Sequence, residues 1–170
     1  NGCTNTVQVA ILVNPLPVVT ASTPAPTICF DGSTSQLFGT GASSYTWTPA
    51  ADLNNFNVGN PIFTPSAPGT FTFTVTGSDG NGCSNTATVS VTVNDVPTVT
   101  ASAAPAAICF DGTSTSSLDA TGAVNFVWTP GGNLNDPNTF DPIFTPAAPG
   151  VNTFTVTGTD GNGCTNSATT

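Results

Sequence analysis

The chain has 170 residues, and its only charged side chains are nine aspartates, giving a formal net charge of −9. It has no Lys, Arg, His, Glu or Met. Nucleic-acid binding rests on Lys and Arg neutralising phosphates, so it is excluded, as are attraction to anionic lipid and side-chain ion pairs. No run of 18 or more apolar residues marks a membrane span, so no membrane insertion is expected in this stretch. No signal peptide is visible. Hydrophobic residues make up 38%, with 11 Phe and 2 Trp, enough to fill small cores. The 17 Gly and 15 Pro, with abundant Thr, Val, Ser and Asn, point to strands and turns.

The chain begins NGCTNTVQVAILVN, a phrase that returns as NGCSNTATVSVTVN at 81–94 and restarts as NGCTNSATT at 162–170. Residues 1–14 therefore read as the last strand of a preceding, truncated repeat. Further matches follow at fixed spacing: ICFDG at 28–32 and 108–112, WTP at 47–49 and 128–130, PIFTP at 61–65 and 142–146, DGNGC at 79–83 and 160–164. A unit of about 80 residues exceeds the solenoid range of roughly 20–50 residues and fits a domain in a string. The expected domains are 15–94 and 95–170, the second lacking most of its last strand. Their junctions, NPLPVVTAS and NDVPTVTAS, are short and proline-bearing, and proline stiffens a linker.

In chain order, PVVTAS opens the domain. TSQLFGTG and SSYTWTP read as the next strands, with Tyr45 and Trp47 on one face as the bulky centre of a core. PIFTP is a short strand between prolines. GTFTFTVTGSDG alternates Phe71, Phe73 and Val75 with Thr72, Thr74 and Thr76, the period of a half-buried strand. SDGNG is turn chemistry. TATVSVTVN then sets Val89, Val91 and Val93 on one face. No stretch has helical periodicity. About seven strands per repeat, with Trp on an early central strand, predict tandem Ig-like antiparallel β-sandwiches and no helix. In the second repeat Asn152 replaces Phe71, and Val151 is expected to substitute for it through a local bulge.

Five cysteines leave one over. Each repeat contributes two: Cys29 with Cys83, and Cys109 with Cys164. Those pairs would close loops of 54 and 55 residues (83 − 29 and 164 − 109), and Cys3 would belong to the preceding repeat, unpaired here. Cys29 reaches Cys83 only if TICF runs beside the last strand. The rival connectivity is Cys3–Cys29 with Cys83–Cys109. Free buried thiols are a third possibility. Disulfides imply an oxidising, extracellular compartment.

The succession ICFDG, YTWTP and GTFTFTVTGSDGNGCSNTATVSVTVN resembles the Ig-like and PKD-like tandem repeats of giant surface adhesins of Bacteroidota, including gliding adhesins. It departs from their usual early Cys-x-Gly, because Phe30 and Asp31 separate Cys29 from Gly32. The resemblance implies type IX secretion and display at the cell surface as part of a long filament or stalk.

Catalysis needs a base, a nucleophile or a metal, and without His, Lys, Arg or Glu the acid–base candidates shrink to aspartates and Tyr45. No enzyme is expected. Asp79, Asn81 and Asp31 offer the hard oxygens that calcium prefers, against the plainer reading of DGNG as a hairpin turn; no other cofactor is indicated. The expected role is a non-catalytic structural repeat of an extracellular surface filament or adhesin stalk, partnered by neighbouring repeats. Two alternatives are a module recognising surface glycans or proteins through loop tips, and a pilus-like subunit polymerised by donating residues 1–14 as a strand.

Overall fold

A computed structural model describes all residues, Asn1–Thr170. It is all-β. The strands are β1 (Thr20–Ser22), β2 (Thr27–Cys29), β3 (Ser35–Gln36), β4 (Phe38–Thr40), β5 (Ser44–Thr48), β6 (Ile62–Phe63), β7 (Gly69–Ser78) and β8 (Ser84–Asn94). Then come β9 (Thr100–Ala104), β10 (Ser116–Thr121), β11 (Asn125–Thr129), β12 (Ile143–Phe144), β13 (Thr155–Thr159) and β14 (Thr165–Thr169). No helix is long and apolar enough to cross a membrane.

The chain divides into two compact units. The first holds Asn1–Ile28, Thr34–Ser66 and Thr70–Thr92; the second holds Cys29–Ser33, Ala67–Gly69 and Val93–Thr170. Their bodies follow the two sequence repeats, but the ICFDG segment from Cys29 to Ser33 packs with the second unit.

In the first unit one layer is a four-stranded sheet in the order β2-β8-β7-β5. The other is built from two small antiparallel ladders, β1 with β4 and β3 with β6. β3 and β4 follow one another along TSQLFGT, with Leu37 between them. Side chains turned inward from both layers fill the core: Leu37, Trp47, Phe63, Phe73, Val75 and Val91 are buried. Phe63 packs tilted against Phe71, ring centroids 4.9 Å apart, and meets Phe73 edge-on at 5.0 Å. Burial of each such side chain contributes about 1.5–3 kcal/mol. The alternation in β7 and β8 thus places its apolar face as its period dictates. β5, which carries Trp47, lies at the sheet edge. The expected central position for that Trp is corrected: Trp47 is buried from the edge, its indole N–H donating to the Val58 carbonyl at 2.9 Å.

The second unit has two three-stranded sheets, β12-β10-β9 and β11-β13-β14, all antiparallel. Leu118, Ala120, Trp128, Phe144, Phe154 and Val156 form its core. The Trp128 indole donates to the Thr139 carbonyl at 3.0 Å. The expected bulge at Val151 does not form. Val151 is 98% exposed, and the chain from 151 to 154 has no strand. β13 begins at Thr155, opposite Thr169 at the end of β14, whereas its counterpart β7 begins at Gly69 beside the 11-residue β8.

Residues 1–14 form no strand, and their apolar side chains Val7, Val9 and Ile11 are exposed to solvent. On the outer faces, hydroxyls pair across strands: Thr20 with Thr40 at 2.7 Å, Thr100 with Thr121 at 2.7 Å, Thr72 with Ser90 at 2.9 Å and Thr157 with Ser167 at 3.0 Å.

Candidate functional site: the cysteine turns

The DGNGC turns join the last two strands of each unit and are built alike. In the first, the Asp79 amide donates to the Cys83 carbonyl at 2.9 Å. Asp79 Oδ1 accepts from the amides of Asn81 at 2.8 Å and Cys83 at 2.9 Å. In the second, the Asp160 amide donates to the Cys164 carbonyl at 2.9 Å. Asp160 Oδ1 accepts from the amides of Asn162 at 2.9 Å and Cys164 at 2.8 Å. The glycine before each cysteine sits at positive φ, 81° at Gly82 and 84° at Gly163, where a side chain is strained. Burial pushes the Asp160 carboxyl up, but amide donation from Cys164, Asn162 and Gly163 outweighs it and leaves the group below its ordinary value.

The ICFDG segments are also carboxylate-capped. Asp31 Oδ1 accepts from the Ser33 amide at 3.0 Å, and donation by Ser33 lowers its pKa. Asp111 Oδ1 accepts from the amides of Ser114 at 2.7 Å and Thr113 at 2.9 Å, and its Oδ2 from the Ser114 hydroxyl at 2.8 Å. Those donors hold it well below the usual carboxylate range.

The structure joins Cys29 to Cys164, with Cα atoms 5.6 Å apart. Cys3, Cys83 and Cys109 are free. Neither expected pair, Cys29–Cys83 or Cys109–Cys164, forms, and neither does the rival pairing. The reason lies in the register of β2. The Thr92 amide donates to the Pro26 carbonyl and the Phe30 amide to the Asn94 carbonyl, both at 2.8 Å. Both partners advance in the same direction, so β2 runs parallel to the far end of β8. TICF does lie beside the last strand, as pairing with Cys83 required, but at the wrong end. Cys83 precedes the first residue of this 11-residue strand. At about 3.3 Å per residue, roughly 33 Å of strand separates the two positions, against the 4.4–6.8 Å that a disulfide spans. Cys29 instead meets Cys164 within the second unit, and Cys164 has no exposed surface. The bridge closes 135 residues, a loop that contributes about 5 kcal/mol in the chain-entropy model.

The calcium candidates Asp79, Asn81 and Asp31 are used by their turns. The two carboxylates accept from turn amides, and Asn81 takes part through its backbone N–H. No group of three or more His, Cys, Asp or Glu side chains is gathered where it could hold a metal ion.

Three features escaped the sequence reading. Asn85 donates to the Pro17 carbonyl at 3.1 Å, and Asn166 donates to the Pro97 carbonyl at 3.0 Å, tying each Cys-x-Asn phrase to the junction that opens its own unit. The Tyr45 hydroxyl donates to the Ala42 carbonyl at 2.8 Å and accepts from the Ala42 amide at 2.9 Å, a closed corner. The signal for the asparagines was their repetition two residues after each cysteine. Lastly, the second unit carries an open cleft of about 410 Å³ lined by Ala103, Ile108, Leu118, Phe144 and Phe154. In the first unit the last strand runs on through buried Val91 and Val93 to pair with β2.

Several solved structures are similar to this chain. The chain is similar to the N-terminal eight Ig domains of Down Syndrome Cell Adhesion Molecule, at TM-score 0.56 and 15% identity over 89% of this chain and 27% of that one. It is also similar to fibronectin(III)-like modules of Clostridium thermocellum CbhA, at 0.41 and 12% over 89% and 92%. A third is the structure described as giving insight into host cell surface retention of a 1.5-MDa bacterial ice-binding adhesin, at 0.40 and 15% over 92% and 63%. No family model matches the chain, and no curated protein does. The first likeness agrees with the fold class: an all-β, Ig-like sandwich.

Proposed function

We propose that this chain is a stretch of a longer extracellular array, a non-catalytic structural repeat of a surface filament or adhesin stalk of the Bacteroidota type. One observation carries the reading: what the two repeats share is what holds the fold. Trp47 and Trp128, Phe63 and Phe144, Phe73 and Phe154, and Val75 and Val156 recur as buried core, and the DGNGC turns recur with the same hydrogen bonds. Outward loops such as 50–60 and 131–141 differ in sequence, so no common ligand-facing surface is repeated. With no Lys, Arg, His or Glu, the chain lacks the usual general acids and bases. The bridge supports an oxidising, extracellular setting. Antibodies against the chain should decorate surface filaments along their length. Labelling confined to filament tips, or to the cell interior, would refute the stalk reading, and a positive glycan array with the purified chain would favour recognition.

Strand donation is the second reading, favoured by a sequence match: residues 10–14, AILVN, correspond in position to 90–94, SVTVN, and Ile11 and Val13 are exposed. The mass of denatured, reduced filament protein separates the readings: subunits near 16.9 kDa mean donation, and one giant chain means a covalent array.

A further inference from the structure

Cys83 and Cys109 have no partner, yet each is the repeat counterpart of one half of the bridge. Cys83 ends DGNGC as Cys164 does, and Cys109 lies in ICFDG as Cys29 does. The bridge therefore joins the ICFDG cysteine of one sequence repeat to the DGNGC cysteine of the repeat that follows. The Cys83 turn already has the hydrogen bonds of the Cys164 turn. What differs is the cover. Cys164 is fully buried in the unit that includes Cys29–Ser33, whereas Cys83 is half-buried and Cys109 exposed.

Resting on the array reading, we infer that Cys83 is a seat for the ICFDG cysteine of another repeat and that Cys109 is delivered to another DGNGC turn, so that every bridge links successive repeats and none closes a single one. For the 170-residue chain the other repeat belongs to a second copy; in a longer polypeptide it is a further repeat of the same chain. The association is head-to-tail and open-ended. In each new bond two thiols lose two protons and two electrons. A disulfide oxidant, glutathione disulfide in the test tube, accepts them and leaves as two thiols.

The test uses the full chain with Cys3→Ser, because Cys3 is a third DGNGC-type cysteine and competes for Cys109. Cleavage before aspartate yields peptides 1–30, 79–94, 95–110 and 160–170, which then carry Cys29, Cys83, Cys109 and Cys164 singly. After oxidation, 1–30 is expected linked to 160–170 in every species. Peptide 79–94 is expected linked to 95–110 only in a ladder of multimers that reductant collapses to monomer. Adding Cys83→Ser or Cys109→Ser leaves monomer alone, at least a tenfold loss of multimer, and mixing those two variants before oxidation gives dimer and nothing larger. In native filaments, the Cys109 peptide joined to 79–94 identifies a second copy, and joined to a DGNGC peptide of other sequence identifies a further repeat; both support the inference. A monomer with 79–94 linked to 95–110, a link from 1–30 to 79–94, a dimer of the Cys83→Ser variant alone, or Cys83 and Cys109 still alkylated by a thiol reagent after oxidation overturns it. That last outcome leaves the stalk reading intact, since filament labelling does not depend on these thiols.

Discussion

Phe71 in the first repeat and Asn152 in the second occupy the same place after the phrase APG, and only the first has an aromatic partner there, Phe63 at 4.9 Å. β7 runs for 10 residues beside the 11-residue β8, and β13 for 5 beside a β14 of 5. The second aromatic pair survives in both, at 5.0 Å in each repeat. A similar contrast stands at Tyr45, whose closed hydroxyl corner has Phe126 as its counterpart. The lesson is that the centre of the sandwich recurs residue for residue, while the contacts at its ends differ between the repeats. The second repeat keeps the same hub and has a smaller margin around it.

The largest expected effect tests the hub. Trp47→Ala and Trp128→Ala each remove a side chain that is 1% exposed and orphan a carbonyl, at a cost of about 3–5 kcal/mol. Each unit has one Trp, so through a denaturant titration circular dichroism registers the altered unit while the remaining indole's fluorescence follows the other. Trp128→Ala should remove the second unit's dichroism transition, and Trp47→Ala should leave a weakened first one. Next come Gly41→Ala and Gly122→Ala. Both glycines have positive φ, and a Cβ would lie 1.8 Å from the Val18 oxygen and 1.9 Å from the Thr98 oxygen respectively. Strain of this kind costs about 1–3 kcal/mol before the clash is relieved, and thermal melts should show comparable losses in the two repeats.

Smaller substitutions sharpen the contrast at the ends. Asn152→Phe should stabilise the second unit by about 1 kcal/mol, the order expected for a partly buried aromatic, and extend protection from amide exchange toward residue 152. Tyr45→Phe should cost the first unit about 1 kcal/mol, read as a lower denaturant midpoint at unchanged slope. The smallest effect is set by acid. Asp160 titrates below its ordinary value of 3.8, so the stability from its ionised form is fully present above that value. It is lost as pH falls below 3.8 through the folded-state value. Melts taken stepwise from pH 5 downward should show this loss in the second unit, and Asp160→Asn should flatten it.

The strands that alternate cleanly were legible because one face had to be buried. Phe73, Val75, Val91 and Val93 have no other way to leave water. The DGNGC turn was legible because Asp, Asn and Gly suit its backbone. The position of β5 at the sheet edge was not, because a five-residue stretch with a buried Trp reads the same at the edge as in the middle. The Val151 bulge failed because an apolar residue next to the lost contact cannot reach inward when the chain there has no strand to aim it. The cysteine pairing was hidden in strand register. Two strands known to lie side by side can be offset along their length, and the offset here sets Cys29 beside the far end of β8 from Cys83.

The hydroxyl pairs on the outer faces have a consequence for where such a chain can serve. Its surface lattice is made of neutral partners, Thr to Thr and Thr to Ser, with no cation anywhere in the sequence. Salt that dissolves ion-pair networks finds none here, and only mutual repulsion among aspartates is left to screen. Passage from fresh water to brine should therefore leave the strand ladders unchanged and relax the chain's internal repulsion.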